Sequence, residues 1–435
     1  MFSKKNLFRG GGAVAAAAAM ALGLAACGGS SSTDAKKLST DPVTITVDFW
    51  GGDARVQATQ KVIDAFEKEH SNITVTPQYA DWNGYWDQLA TSTAAGTMPD
   101  VVQMDELYLA SYAGKGALLD LGTTNLDTSK VDEAVLDTGK VDGKLYAMPT
   151  GVGVYSVVAN ADLFKKYGVA LPDDDTWTWD DYAKIANELT QKSGGKIHGS
   201  DQMGGFDAGS VKYWARQDGG EVFGDGNKVT LNPDSLAKMW QYELDLQKSG
   251  GMWSPANITE SFNAGTSANG LATSKVAMST QYNTQLTAFE AANKSHFVLL
   301  KLPEPQGIHP NSYKPAMYWT VSSTSKHPAE AAEFANFLVN DPEAAKIIGT
   351  DRGVPANPDS QKAIEPTLTS ADKAAIAYAK RVTPGQAPLV TPNGASTIEA
   401  ILQRYTQDVF AGKQTPQDAA NAFIKELQGE IDAAQ

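Results

Sequence analysis

Asp142 to Phe164, DGKLYAMPTGVGVYSVVANADLF, is the stretch that most limits how this chain can fold. Asp142-Gly143-Lys144 signals a tight turn. Leu145 to Pro149 reads as a short extended run halted by proline. Gly151 and Gly153 tolerate large backbone changes because they lack a Cβ. Val154 to Asn160 is apolar, β-branched and strand-like, and Ala161-Asp162-Leu163-Phe164 opens a helix. Two readings fit a strand interrupted by glycines. One is a chain passing between two large, similarly built halves; the other is a single strand with a bulge.

The flanking sequence alternates strands and helices. Val43 to Trp50 alternates apolar and polar residues and ends in Gly51-Gly52-Asp53. Val56, Val62, Ile63 and Phe66 give Ala54 to His70 one buried helical face. Ile73 to Tyr79 is a second strand, Asp81 can cap the next helix, and Asp100 to Met104 is a short buried strand before a helix over 108–116. This alternation predicts parallel strands with crossover helices, and ligands on such sheets sit beyond the strands' carboxyl ends. Trp50 to Asp53, Trp82-Asn83 and Asp105-Glu106 all fall there.

Further on, Thr178 and Asp181 have capping-box spacing, and Trp177 and Trp179 read as packing. Asp225-Gly226-Asn227-Lys228 is a hairpin turn, and Asn232-Pro233 starts a helix. Lys275 to Ser279 and Phe297 to Leu302 are strands; Met317 to Val321 is another, and a candidate return passage. Amphipathic helices follow over 328–340, 371–382 and 396–428.

The chemistry is that of a binding site without a reaction. Gly265 to Asn269 lacks the closing glycine of a nucleophile elbow, and Gly151 to Ser156 lacks the third glycine of a dinucleotide loop. The five histidines are scattered, with no pair at metal-ligand spacing, so neither metal nor cofactor is expected. A formal charge of −14 excludes a nucleic-acid partner. What remains is rings, carboxylates, amides and a guanidinium: Trp50, Asp53, Trp82, Asn83, Asp105, Glu106, Gly151, Tyr155, Trp214, Gln281, Tyr282, Trp319 and Arg352. Such a set suits a sugar, whose C–H faces stack on rings while its hydroxyls need fixed donors and acceptors. Each tryptophan is equally at home in a core, Asp105 at a helix N-terminus, and Arg352 in a surface ion pair.

The N-terminus carries Lys4, Lys5 and Arg9, then an apolar run from Ala13 to Ala26 that is too short to span a bilayer. It ends at Leu24-Ala25-Ala26-Cys27, which resembles the bacterial lipoprotein box, and Cys27 is the only cysteine. The expectation is a signal peptide over 1–26, a lipid on Cys27 and a flexible tether over 27–42. The mature protein is then held on the outer face of the bacterial cytoplasmic membrane, since two or three acyl chains anchor stably.

Several blocks in order resemble one family: VTITVDFWGG, AAGTMPDVVQMDELYLASYAGKGALLDL, DGKLYAMPTGVGVYSVVANADLFKKYGV with TWTWDDYAKIANEL, SKVAMSTQYN, and YWTVSSTSKHPAEAAEFANFLVNDPEAAK with RGVPANP. These are similar to the extracellular solute-binding proteins of carbohydrate ABC importers, related to maltose-binding protein. Ser274 stands in a turn where glycine is usual. The resemblance implies a two-lobed, type II periplasmic-binding-protein-like α/β fold with mixed sheets flanked by helices. It implies crossing segments near Gly151–Val154 and Ala316–Trp319. Lobe 1 would hold 43–151 and 317–351; lobe 2 would hold 152–316 and 352–435. It also implies a monomer that captures a carbohydrate, an oligosaccharide above all, in an interlobe cleft and delivers it to membrane permease subunits. In relatives the positions of Trp50, Trp82, Asp105, Gly151, Trp214, Tyr282, Trp319 and Arg352 often contact sugar. The alternatives are another solute (a peptide, a polyamine or a glycerophosphodiester) or an anchored polysaccharide hydrolase.

Overall fold

The computed structural model describes residues 34–201, 203–264, 269–386 and 389–435. Cys27 and the leader lie outside them, as does the side chain of Asn83. Val43–Trp50 forms its strand as its alternation requires, with Val43, Ile45, Val47 and Phe49 all buried. It runs parallel to Ile73–Ala80 on one side and Val101–Met104 on the other. Antiparallel strands extend the sheet: Lys314–Val321, then Ala147–Gly153, then Val354–Pro355, giving six in all. Both faces are covered. Val62, Phe66, Phe334 and Phe337 pack on one, and Tyr85, Leu89, Leu109 and Tyr112 on the other.

A second, four-stranded sheet has the order Phe297–Leu300, Tyr155–Asn160, Val276–Tyr282, His198–Ser200. Its three longer strands are antiparallel, so the expected parallel pairing holds only for the first sheet's opening strands and for the edge strand His198–Ser200. The sheets are mixed. Helices Pro233–Lys248, Ile398–Phe410 and Pro416–Ala433 share a further core around Trp240, Leu402 and Phe423.

The glycine-marked stretch is a passage between the sheets and not one bulged strand. Gly153 pairs with Lys314 in the first sheet, Tyr155 pairs with Tyr282 in the second, and Val154 alone separates them. Pro149 does not halt its strand. It lies in the sheet opposite Tyr318, where the partner strand shifts register between Met317 and Tyr318, so the missing N–H falls at an irregularity. Gly151 is required by crowding. A Cβ there would sit 2.6 Å from the Arg352 carbonyl oxygen and 2.7 Å from that of Val354. The return passage lies between Leu300 and Lys314, upstream of Ala316–Trp319, which is inside a first-sheet strand. A third passage follows, within the 352–435 segment expected in lobe 2: Val354–Pro355 pairs in the first sheet, and Ser370–Arg381 packs on the second.

Local signals hold where the chemistry is short-range. Thr178 and Asp181 form a capping box, and Asp81 accepts from the Gly84 N–H. Ser274 does sit in a turn, at φ +53°. The expected tether is fixed to the body before residue 42: Asn125 donates to the Lys36 carbonyl, and the Ser39 N–H donates to Glu330. Among the described residues no helix is long and apolar enough to cross a membrane.

Candidate functional site

At the carboxyl end of the Val43–Trp50 strand the rings gather. Trp50 lies 5.0 Å from Trp82, 5.3 Å from Tyr85 and 5.7 Å from Trp86. Trp86 stacks on Tyr108 at 3.7 Å. Tyr85 and Trp86 are buried, Trp50 is half-buried, and Trp82 keeps 39% of its surface exposed. Asp53 is exposed at the first turn of the next helix.

The helix Glu106–Gly114 then reaches the other half of the molecule. Asp105 caps it by accepting from the Leu107 N–H at 3.0 Å. Leu107 packs among Ala208, Val211 and Ile398. Glu106 pairs with Lys212 at 3.1 Å, and Asp105 faces Lys314 at 3.7 Å. Burial raises the Asp105 carboxyl against the pull of Lys314. For Glu106, burial is outweighed by Lys212 and Lys314, which hold its carboxyl below the ordinary range. Lys314 is raised: burial alone would lower it, but Asp105, Glu106, Glu399 and Asp207 together prevail. Its ammonium lies 5.8 Å from the centre of the Tyr282 ring.

Tyr282 and Tyr155, opposite each other on neighbouring strands, make an edge-to-face pair at 4.7 Å. The Tyr155 hydroxyl donates to Asp207 at 2.5 Å, and Asp207 also caps the helix Ala208–Gln217 through the Ser210 N–H. Gly209 makes room for this corner, since a Cβ would lie 2.2 Å from the Tyr282 hydroxyl. Burial and then Asp207 push the Glu399 carboxyl up to about 7. Buried Glu243 braces the loop leading to Asp207 by accepting the Met203 and Gly204 N–H groups, both at 2.9 Å; burial pushes its carboxyl up to about 8.

The two tyrosines line two cavities. The smaller, about 30 Å³, is bounded by Glu106, Lys212 and Lys314. The larger, about 210 Å³, is walled by Trp253 and Phe262 as well, with amides from Asn269, Gln281 and Gln285 and carboxylates from Asp201 and Asp207. Rings for apolar faces and amides and acids for hydroxyls can hold a polar solute without reacting with it.

The sequence-derived candidates divide on this geometry. Tyr155, Gln281 and Tyr282 line the larger cavity, and Glu106 the smaller, with Asp105 beside it. Trp50 and Trp82 form the first-sheet ring group. Gly151 belongs to the passage between sheets. Trp214 stacks on Trp179 at 4.9 Å, beside Tyr242, and lines neither cavity. Trp319 is fully buried in the first sheet's core. Arg352, 2% exposed, lies 5.5 Å from the Trp319 ring and donates to Thr59 at 2.8 Å and Gln103 at 3.3 Å. Burial and Arg55 draw its guanidinium down to about 9, still charged at neutral pH. Asp201, Asp207, Lys212, Trp253, Phe262, Lys314 and Glu399 were missed. Asp207 before Ala-Gly-Ser carried a capping signal; the others had none beyond residue type.

A family model described as bacterial extracellular solute-binding protein matches residues 61–377. A maltodextrin-binding protein of Bacillus subtilis is 25% identical over 442 residues, covering 98% of each chain. A galactooligosaccharide-binding protein of the same organism is 24% identical, covering 95% of this chain and 96% of its own. Among solved structures, a family 1 extracellular solute-binding protein from Alicyclobacillus acidocaldarius superposes with a TM-score of 0.69 at 26% identity, over 90% of this chain and 99% of the other. An oligogalacturonide-binding protein from Yersinia enterocolitica, holding saturated digalacturonic acid, gives 0.76 at 22% over the same shares. The chain therefore belongs to the bacterial extracellular solute-binding proteins, with the two-lobed, mixed α/β fold of those structures.

Proposed function

We propose that this protein is the carbohydrate-capturing component of an ABC importer, anchored by a lipid on Cys27, and that its ligand is an oligosaccharide. The observation that carries the reading is the larger cavity, with its aromatic walls, three amides and two carboxylates beside the passage between the sheets. The oligosaccharide specificities in the names of two relatives support it. In this reading the lobes are built on the two sheets, near 43–153 with 314–364, and near 155–300 with 370–435. One sugar unit fills the cavity against Tyr282. Contacts to both lobes favour the closed arrangement by the ligand's differential affinity for it. The permease then receives the closed, loaded monomer.

Calorimetry against a panel of mono- and oligosaccharides tests this. Micromolar binding, about −8 kcal/mol, is the expected result, tightening with chain length up to the span of the two lobes. Silence across the panel, with a peptide or polyamine carried through purification instead, overturns it. Anchoring has its own test: Cys27→Ser should move the protein from the membrane fraction to the medium.

A further inference from the structure

The larger cavity is charged on one side only. Its lining includes the carboxylates of Asp201 and Asp207 and no lysine or arginine among the described residues. Of the lysines of the adjoining cavity, Lys212 pairs with Glu106, while Lys314 faces Asp105 at 3.7 Å and also acts on Asp207 from outside the lining. Burial raises the Asp207 carboxyl, and its hydrogen bonds and Lys314 pull the other way. Asp207 accepts the Tyr155 hydroxyl and the Ser210 N–H, and it stands at the N-terminus of a ten-residue helix, where negative charge is favoured. Trp253, Phe262 and Tyr282 present rings to the same space. Rings with carboxylates and no cation make a wall that attracts positive charge and opposes negative charge.

We propose that this cavity selects its sugar unit by charge: it accepts neutral units, prefers units bearing an ammonium group, such as a 2-amino-2-deoxy sugar, and rejects uronates and sugar phosphates. The inference rests on the carbohydrate reading above. It separates this protein from its digalacturonate-binding structural neighbour, whose ligand carries the opposite charge.

The test is calorimetry on the full mature protein. A panel of neutral disaccharides and trisaccharides is titrated first. The best binder's 2-amino and uronate counterparts are then compared at about pH 6, where the amine is protonated. The amino counterpart should bind roughly tenfold tighter than the neutral sugar, and the uronate at least roughly a hundredfold weaker. Asp207→Asn keeps a side chain that caps helices well, so the fold should persist, as its melting curve will report. In that variant the ratio of amine to neutral affinity should fall toward one. A uronate that binds as tightly as its neutral counterpart overturns the charge selection but leaves the carbohydrate reading standing. So does an Asp207→Asn variant with unchanged discrimination. If no neutral or charged sugar binds, the carbohydrate reading fails and this inference with it.

Discussion

Trp319 and Tyr282 look alike in sequence, each a ring on a strand next to a passage between the sheets, and the fold uses them in opposite ways. Trp319 points into a packed face, under Arg352 and beside Met148 and Val152, with no exposed surface. Tyr282 points into open space and shares it with amides and acids. The contrast extends to their neighbours. The rings around Trp86 pack on one another, stacked, tilted or edge-on, and leave only Trp82 well exposed. The rings around Tyr282 leave about 210 Å³ unfilled. Ring density and unfilled volume are therefore separate properties, and the proposed site follows the second.

The hardest test of that contrast is Trp319→Ala. Emptying a fully buried indole site should cost about 3–5 kcal/mol in urea unfolding, with the affinity of the folded protein nearly unchanged. Lost binding at intact stability would reverse the roles assigned to the two rings. Glu243→Gln probes the support beneath the cavity. The folded carboxyl sits near 8 against an ordinary 4.5, so its contribution to stability is whole below about pH 4.5 and is lost as pH rises through 8. The glutamine variant has no such titration. It should match wild type near pH 5 and exceed it by a few kcal/mol near pH 9, the gap growing by roughly 1.4 kcal/mol for each step of one in pH between those limits. A gap that does not vary with pH would mean the Glu243 carboxyl is not the titrating group. Tyr282→Ala should weaken ligand binding by about 1.5–2 kcal/mol, or roughly ten- to thirtyfold, while unfolding changes less than for Trp319→Ala. Trp82→Ala should show the smallest effect, within about 1 kcal/mol in both stability and affinity, because so much of that ring already faces water. An affinity loss larger than that of Tyr282→Ala would place the main stacking surface on the first sheet.

Elements set by local chemistry were readable from the residues. Val43–Trp50 follows from its alternation and the Thr178–Asp181 cap from its spacing, whereas the glycines before Val154 fitted a crossing and a bulged strand equally. What could not be read depends on which distant strands meet. Whether Trp319 faces a core or a cleft is decided by its antiparallel neighbours Gln103 and Met148, far away in the chain. Pro149 seemed to end a strand because the irregularity that accommodates it lies in a partner strand well over a hundred residues later. Lys212 and Lys314 escaped notice because an isolated lysine resembles any solvated one until Glu106 and Asp105 are brought opposite. The family blocks supplied the fold, but they could not say which of the shared positions this chain keeps open.

The order in which the chain visits its two sheets has a consequence for synthesis. The second sheet's strands are complete by Leu300, yet the helices that cover and extend that half, Ser370–Arg381 and Pro416–Ala433, come only after the chain has returned to the first sheet. The first half in turn waits for Val354–Pro355 to close its edge. A nascent polypeptide emerging residue by residue from a ribosome or a translocation pore thus cannot seal its second half until its final turns are out.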